Sequence, residues 1–313
     1  MAIKNYWRDI QIAKGEYPLL DKLFEKTPIL DSAVYQATND GMRHVVEIVK
    51  SADAAEVVEL DGAIPEITSD TSLEDVKLGA IGGIMKVGTD AAKLFGGAVA
   101  YFGKKLGPIL KKTGQSMETS LIYNTLRPYA ISTGNVIDAG GTTADKMYSI
   151  LAVRWMEDET SMLYDANGLG DGRVFDILPL TPATGSLLTI DGVEKSGFAQ
   201  QIKMYTGTQM AVSDNVAMIS NIDLTASTST DSGFVALPTE AQMDELLELV
   251  DGDDGDVTLY MYPTVKSGLA VYKGGRLEMV PADDNFRRSY SLWEGTPIVT
   301  SKNFKKASEA VVS

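Results

Sequence analysis

Cysteine and histidine are almost missing from this chain, which has no cysteine and one histidine among its 313 residues. Without cysteine the chain cannot form disulfides, thiolate metal sites or a cysteine nucleophile. A single imidazole also cannot build a metal site that needs several. His44 lies beside Val45 in a predicted strand and has no partner motif, so we expect it to have a surface or packing role and not a catalytic one.

Long apolar runs and excess positive charge are also lacking. The longest uncharged stretches near the middle, such as 94–103, are too short to cross a bilayer. Positions 1–10 carry charged residues without the apolar core of a targeting signal. We therefore expect a soluble protein with no membrane partner. Its 43 acids against 28 bases give a formal net charge of −15, which opposes direct adhesion to nucleic acid but allows a surface that faces DNA without gripping it.

Motifs for catalysis and nucleotide binding are absent from the sequence. Neither a G-x-S-x-G elbow nor a G-x-x-x-x-G-K-[ST] loop occurs. The glycine-rich segment 168–172 lacks the third glycine of a dinucleotide loop, and we interpret it as a flexible turn. In the acidic segment 251–256, Gly255 stands where an EF-hand loop requires an oxygen ligand. The sequence therefore predicts a protein that is not an enzyme, with no catalytic, cofactor-binding or metal-binding residues.

An acidic region follows an amino-terminal arm in which Pro18 and Pro28 bracket a short apolar helix. Runs rich in β-branched residues at 45–49 and 56–60, with a returning run over 75–87, predict a long hairpin. Between positions 47 and 75 nine acids stand against one base. A hairpin with so little apolar contrast is hard to hold in isolation. It therefore either packs on a neighbouring subunit or is a solvated charged hairpin.

The longest helical pattern begins near Thr89, which we expect to cap a helix with Asp90 in its first turn. Apolar residues then recur at intervals of three and four. Gly107-Pro108 should break or kink the pattern, because proline removes a donor and clashes with the preceding turn. We predict a short helix, a joint and a longer helix that ends near Tyr123. A basic cluster on it is either a solvated helix face or a contact with an anionic partner; it consists of Lys104, Lys105, Lys111 and Lys112.

Strands and turns predominate after position 141. Thr239-Glu240-Ala241-Gln242 is a capping box that opens a helix. A strand at 257–261, a helix that begins at Pro263 and a last strand at 296–300 follow it. This alternation predicts a compact layer of helices on a sheet.

The most informative segment of the chain is Asn135-Val136-Ile137-Asp138-Ala139-Gly140-Gly141. It is a small-residue turn that leads into a run of strand formers at 147–155. Together they resemble the N-V-I-D-A-G-G turn and the T-S-I-W-L-V-x-W strand of major capsid proteins from tailed bacteriophages. Three further blocks are similar to that family and occur in the same order; they lie at 196–224, 259–266 and 295–298.

The resemblance implies an α+β fold of the Hong Kong 97-like class. Such a subunit has an amino-terminal arm, an extended E-loop hairpin, a P-domain with a long spine helix, and a wedge-shaped A-domain. Mapped by position, the arm covers 1–40, the E-loop 41–87, the spine 88–130, the first part of the A-domain 131–185, the P-domain sheet 186–225, and the second part of the A-domain 226–313.

The resemblance also implies a function. The subunit would assemble with copies of itself into hexamers and pentamers of an icosahedral head that encloses double-stranded DNA. It would assemble in the host bacterial cytoplasm and reside in the virion. Its other partners would be portal and scaffolding proteins, with a decoration protein as a further candidate, and packaged DNA bound without specificity. In this family the helix that carries Lys104, Lys105, Lys111 and Lys112 faces the interior, where these lysines would meet scaffolding protein or DNA.

The alternative is a cellular nanocompartment built from the same wedge. An encapsulin-like shell would enclose a cargo protein instead of a genome. Encapsulins do not usually carry the N-V-I-D-A-G-G block, which favours the phage reading.

Overall fold

Two large sheets and one long helix make up this α+β protein. The computed structural model describes residues 22–52, 66–165, 175–228, 230, 232–250, 257–272, 277–280 and 290–312. The predicted strand at 56–60, the glycine-rich turn at 168–172 and the acidic segment 251–256 lie outside the described residues. Positions 1–21 of the arm lie outside them as well.

The order of elements follows the predicted alternation of helices and strands. The helices are α1 (Pro28–Ser32), α2 (Thr89–Leu94), α3 (Ala98–Ser120), α4 (Arg127–Thr133), α5 (Glu240–Glu248) and α6 (Pro263–Tyr272). The strands are β1 (Tyr35–Ala37), β2 (Arg43–Ala52), β3 (Ser69–Lys77), β4 (Gly79–Gly88), β5 (Val136–Asp138), β6 (Met147–Arg154), β7 (Thr160–Tyr164), β8 (Phe175–Pro179), β9 (Ser186–Ile190), β10 (Val193–Met210), β11 (Val216–Ala226), β12 (Phe234–Ala236), β13 (Val257–Met261), β14 (Leu277–Val280), β15 (Tyr290–Trp293) and β16 (Thr296–Thr300). A π-helical segment, Leu121–Leu126, joins α3 to α4.

An eight-stranded sheet forms the centre of the molecule. Its strands lie in the order β12-β11-β6-β13-β16-β15-β14, and β5 pairs with β11. Side chains alternate along a strand, so Leu151 and Val153 of β6 enter the core shared with α3. Ile150 and Ala152 enter the opposite core, which α5 and α6 cover. The sheet is therefore buried on both faces, between helix layers, and its strands read as continuous apolar runs.

The predicted capping box of α5 is confirmed. The Thr239 hydroxyl accepts the backbone N–H of Gln242 at 3.2 Å, and the Gln242 side-chain oxygen accepts the backbone N–H of Thr239 at 2.9 Å. These two bonds satisfy donors that the first helical turn leaves unpaired. The helix then lays Met243 and Leu246 on the sheet.

A second, six-stranded sheet is organised by β10, which is 18 residues long. One edge of β10 pairs antiparallel with the whole of β4. The other edge pairs in turn with β9, β8 and β7, and β1 adds to β7 in parallel. Among the described residues, β4 is therefore a terminal strand of this sheet.

The returning strand predicted at 75–87 is in fact two strands, so that prediction is wrong. β3 pairs with β2 in a separate two-stranded sheet, whereas β4 joins β10. The break is at Leu78, which is buried and donates its N–H to the Met42 carbonyl at 2.9 Å. Burial of the Leu78 side chain thus separates β3 from β4. The run of strand formers in the sequence does not indicate this break.

Helix α3, which we call the spine helix, runs through Gly107-Pro108 without interruption. The joint lies earlier, at Gly96 and Gly97, whose φ angles are 85° and 112°. The prediction of a break at Pro108 is therefore wrong. Pro108 is exposed, so water can reach the carbonyl that its missing N–H leaves unpaired.

The predicted end near Tyr123 is also wrong. The chain continues through the π-helical segment into α4 and ends at Gly134, whose φ of 82° gives a left-handed cap. Pro128 lies in the first turn of α4, directly after the π-helical segment. Thr89 does not cap α2, since Gly88 holds the cap position; the Thr89 hydroxyl instead bonds Ser196 at 3.0 Å.

Each of the two large sheets contains strands from both sides of position 185. β7 and β8 pair with β10, while β11 pairs with β6. The segment limits given above stay predictions.

Candidate assembly surfaces

The segment 135–141 is a junction between the spine, the central sheet and α5. Strand β5 pairs in parallel with β11, and the Asn135 amide donates to the Ser213 carbonyl at 2.8 Å. The Asp138 carboxylate accepts the N–H of Gly140 at 2.8 Å, which closes the turn. The Gln242 amide of α5 donates to the Asp138 carbonyl at 2.8 Å. These hydrogen bonds explain why an asparagine stands at position 135 and an aspartate at position 138.

Asn221 fastens the carboxyl-terminal segment to the same junction. It is buried with a left-handed φ of 56°. Its amide nitrogen donates to the Asp138 carboxylate at 2.9 Å and to the Val312 carbonyl at 2.8 Å, and its amide oxygen accepts the Val312 N–H at 2.8 Å. A Cβ on Gly141 would lie 2.4 Å from the Asn221 carbonyl oxygen. Only glycine fits there, which explains the second glycine of the motif.

A buried carboxylate on the spine helix holds the arm. Glu118 accepts the backbone N–H groups of Ile29 and Leu30, at 3.0 and 3.3 Å, at the start of α1. Its other oxygen accepts from the Ser301 hydroxyl and from the Asn303 amide, the latter at 3.0 Å. Burial raises the pKa of this carboxyl, and the four donors oppose that effect. Glu118 thereby joins the arm, the spine and the carboxyl-terminal segment.

A second buried carboxylate fixes the end of the chain to the π-helical segment. Glu309 accepts the Tyr123 hydroxyl at 2.5 Å and lies 3.4 Å from the Arg127 guanidinium. Arg127 also donates to the Ala310 carbonyl at 3.0 Å. Desolvation raises the pKa of Glu309, while the nearby Arg127 charge acts in the opposite direction. The sequence pattern indicated neither of these buried acids, because Glu118 lies at least 88 residues from its partners in the chain and Glu309 lies 186 residues from Tyr123.

The hairpin formed by β2 and β3, which we call the acidic hairpin, buries little within its own subunit. Of its described side chains only His44 is buried. Arg43 pairs with Asp75 at 2.7 Å across its base, whereas Leu73 is 76% exposed. Within the described part of the chain, β2 and β3 pair only with each other. The Asn39 side chain holds the backbone N–H and carbonyl of Val45 near the base, at 3.0 and 2.8 Å, and among the described residues no further strand pairs with the hairpin.

His44 is buried at the base of the acidic hairpin, as expected for a packing residue. It is 3% exposed, and neither ring nitrogen has a hydrogen-bond partner. Burial lowers the pKa of its imidazole, and the charge of Asp158 acts weakly in the opposite direction. A neutral ring is the form that burial favours.

The four lysines predicted as an anionic contact lie along the spine helix but in different surroundings. Lys104 stands over the Phe95 ring at 5.4 Å. Lys111 pairs with Glu25 of the arm at 2.5 Å. Lys105 and Lys112 are exposed. The structure thus brings the four to one helix, and it gives Lys111 an acidic partner from the same subunit.

The arm adds basic residues that the sequence pattern did not single out. The Lys22 side chain lies on Gly107, with its Cδ 3.3 Å from the position of a Cβ there. Lys26 and Lys22 both lie near enough to act on the Glu25 carboxylate. The basic surface of the spine therefore extends onto the arm. This extension is visible only in the structure, where the arm packs along the glycines of the spine helix.

No chemistry beyond these contacts is visible in the described ranges. In them, no group of three or more His, Cys, Asp or Glu side chains is placed to hold a metal ion. No described helix is long and apolar enough to cross a membrane.

The sequence and the fold of this chain are similar to those of known proteins. A family model described as Major capsid protein GP7 matches residues 14–312. A chain in the near-atomic structure of bacteriophage Epsilon15 is similar, with 17% identity over 90% of this chain and 88% of that chain and a TM-score of 0.57. A chain of the bacteriophage JBD30 capsid shows 9% identity over 89% and 91%, with a TM-score of 0.49. The SrpI encapsulin of Synechococcus elongatus PCC 7942 shows 12% identity over 64% and 89%, with a TM-score of 0.47. No curated protein matches.

The likeness to the Epsilon15 chain spans most of both chains and confirms the predicted Hong Kong 97-like fold. The match of a capsid family model to residues 14–312 gives the class, a shell subunit of a tailed phage. The chain belongs to the Major capsid protein GP7 family, whose model covers nearly its whole length. The protein is thus a structural component of a virion capsid, and the resemblance seen in the N-V-I-D-A-G-G segment is confirmed.

Proposed function

We propose that this major capsid protein assembles in the host cytoplasm into hexamers and pentamers of an icosahedral head that encloses double-stranded DNA. The observation that carries the proposal is the acidic hairpin, in which His44 is the only buried side chain among the described residues. A two-stranded hairpin of this kind is marginal in isolation and gains stability when it lies on a neighbour. The role is structural repetition of one surface, without catalysis.

Electron microscopy tests the proposal directly. The protein is expressed alone and together with the neighbouring genes of its phage, and the products are imaged. Closed icosahedral shells with hexamers and pentamers are expected, and the co-expressed sample should contain particles able to take up DNA. A compact monomer in both samples would contradict the proposal. Shells that enclose only a protein cargo would favour the nanocompartment instead.

We further propose that the spine lysines contact an anionic interior partner, either scaffolding protein during assembly or DNA afterwards. A portal and a decoration protein would complete the shell. Lys104, Lys105 and Lys112 are exposed, and they are positive in a chain whose net charge is −15. Single surface ion pairs contribute only about 0.2–1 kcal/mol, so the effect should be collective and should weaken with salt.

The lysine proposal is tested by replacing all four residues with glutamine. We expect impaired scaffold-directed assembly or DNA packing with an unchanged unfolding temperature. The matched control replaces the exposed Lys302 and Lys306 and should leave particle yield unchanged. Full, infectious particles at the normal yield from the fourfold variant would show that the cluster is only a solvated helix face.

A further inference from the structure

The acidic hairpin is attached to its own subunit on both sides of its base. On the entering side, the Thr38 N–H donates to the Tyr164 carbonyl at 3.0 Å, which ties the chain to β7 shortly before β2. On the leaving side, Leu78 is buried, and a Cβ on Gly207 of β10 would lie 2.9 Å from its side chain. The Leu78 N–H also donates to the Met42 carbonyl at 2.9 Å. The residues just beyond these two attachments therefore set the direction in which the hairpin leaves the subunit.

His44 lies in the second strand pair beyond the attachments, directly opposite Val76. It is 3% exposed, and Val76 is half-buried. No other described side chain of the hairpin is buried. The imidazole is therefore the group that seats the base of the hairpin on the rest of the subunit.

This imidazole is buried without a hydrogen-bond partner on either ring nitrogen among the described residues. An imidazolium carries two N–H donors and a positive charge, and burying these without acceptors is costly. The same cost appears as a lowered pKa of the imidazole, because burial disfavours its charged form. The seated position thus accepts the neutral ring and excludes the charged one.

One carboxylate acts on the ring from outside the hairpin. The charge of Asp158, in the turn between β6 and β7, opposes the effect of burial on the pKa of His44. Gln36 holds this residue, since its amide donates to the Asp158 carboxylate and its oxygen accepts the Asp158 N–H at 3.0 Å. On the hairpin, Glu74 shares the face of His44 but lies two residues further out. Other charged residues near the base are Asp40 in the turn before β2 and, on the opposite face, Arg43, Asp75 and Lys77.

We infer that His44 is a proton-operated latch: the neutral ring holds the base of the acidic hairpin on its own subunit, and acidification releases it. The ordinary pKa of histidine is about 6.5, and in the seated state it is lowered. The contribution of the seated ring to stability is therefore fully present above about pH 6.5 and is lost as pH falls through the folded pKa. At neutral pH the hairpin leaves the subunit in one direction, and in acid that direction is no longer fixed. The latch belongs to the single subunit and does not depend on what the hairpin contacts in a shell.

Nuclear magnetic resonance measures the latch directly, because His44 is the only histidine of the chain. In the full-length subunit with isotope-labelled histidine, the single ring signal should titrate with a midpoint below about 6.5. Hydrogen exchange of the Leu78 amide, divided by the intrinsic rate at each pH, gives the opening constant of the base. This constant should rise by about tenfold per pH unit between the two pKa values, because one proton is coupled to opening.

The control amide is that of Ser301, which donates to the Met261 carbonyl in the central sheet. Its opening constant should not rise over the same range. A midpoint of His44 at or above the ordinary value would overturn the inference. An opening constant of Leu78 that does not change with pH would overturn it as well.

Three variants separate the ring from its surroundings. His44→Phe fills a similar volume but cannot take up a proton, so the opening constant of Leu78 should no longer depend on pH. Asp158→Asn removes the opposing charge and should lower the midpoint of His44 further, whereas the control Asp40→Asn should leave it unchanged. The same acid-dependent opening in His44→Phe as in the unaltered subunit would overturn the inference. If His44→Phe does not fold, the titration and the exchange of the unaltered subunit decide. None of these results depends on shell formation, so the latch and the proposed function can fail separately.

Discussion

The central sheet and the acidic hairpin are both built from β-strands but are stabilised in different ways. In the sheet, all five residues of β13 are buried, and helices cover both faces. In the hairpin, all but two of the nine side chains of β3 are exposed. Burial of apolar surface stabilises the first within one subunit. The described part of the second buries little apolar surface, so we expect its stability to come from a neighbour.

The central sheet and the acidic hairpin therefore have different roles in the protein. The central sheet, the spine helix and the two buried acids Glu118 and Glu309 belong to the buried part of the subunit. The described part of the acidic hairpin adds little to that core, and we expect it to contribute to the shell instead. A subunit that stays soluble until it meets its neighbours needs this separation, because an apolar hairpin would aggregate before assembly.

Removing the hairpin should produce the largest effect. Replacing residues 48–72 by Asn-Gly closes β2 and β3 at the Glu47–Leu73 pair with a two-residue turn. We expect complete loss of shells in electron micrographs, with an unfolding temperature close to that of the unaltered subunit, since the deletion removes no known core residue. Normal particles from this variant would show that the hairpin is not an assembly element.

One buried and one exposed leucine allow the two regions to be compared by their contribution to the free energy of unfolding. Leu259 of β13 is 0% exposed and Leu73 is 76% exposed. Leu259→Ala should lower the free energy of unfolding by about 2–5 kcal/mol, because it leaves a cavity. Leu73→Ala should change it by less than about 0.5 kcal/mol, but should reduce shell yield. Urea unfolding of both variants checks this, and similar losses at the two sites would remove the distinction between the regions.

The sequence predicted the sheet far better than the joints between elements. The strands at 257–261 and 296–300 and the capping box at Thr239 depend on local residue pattern, and the structure has them at those positions. The break at Pro108 and the single strand over 75–87 were wrong. In both places the outcome depends on contacts distant in sequence or on solvent reaching one carbonyl, which periodicity does not encode.

The candidate surfaces were predicted only in part. The acid count between 47 and 75 and the four lysines are visible as composition. The extension of the basic surface onto the arm is not, because it depends on Lys22 lying on Gly107. Likewise the N-V-I-D-A-G-G segment identified the family, but its physical reason appears only when Asn221 and Val312 are placed beside it.

Two glycines on the spine helix test how firmly the arm belongs to the folded subunit. A Cβ at Gly114 would lie 2.1 Å from the Leu23 carbonyl oxygen, whereas a Cβ at Gly103 meets nothing within 4 Å. Gly114→Ala should therefore displace the arm and destabilise the subunit by about 1–3 kcal/mol. Gly103→Ala should stabilise it by up to about 1 kcal/mol, because alanine favours helix. Thermal unfolding and proteolysis near Lys26 measure both; equal behaviour would mean that the arm is not packed on the helix.

The smallest expected effect concerns pH and the buried Glu309. Burial raises the pKa of its carboxyl in the folded state above the ordinary value, which is about 4.3. A raised folded pKa means that the contribution of this group to stability is fully present below the ordinary pKa and is lost as pH rises through the folded pKa. The side chain of Glu309→Gln cannot titrate. As pH rises from the ordinary pKa through the folded pKa, the unfolding temperature of this variant should therefore fall less than that of the unaltered subunit. The exposed Glu157→Gln serves as the control and should follow the unaltered subunit. If the difference in unfolding temperature between Glu309→Gln and the unaltered subunit stays constant with pH, burial is not the dominant influence on the pKa of this carboxyl.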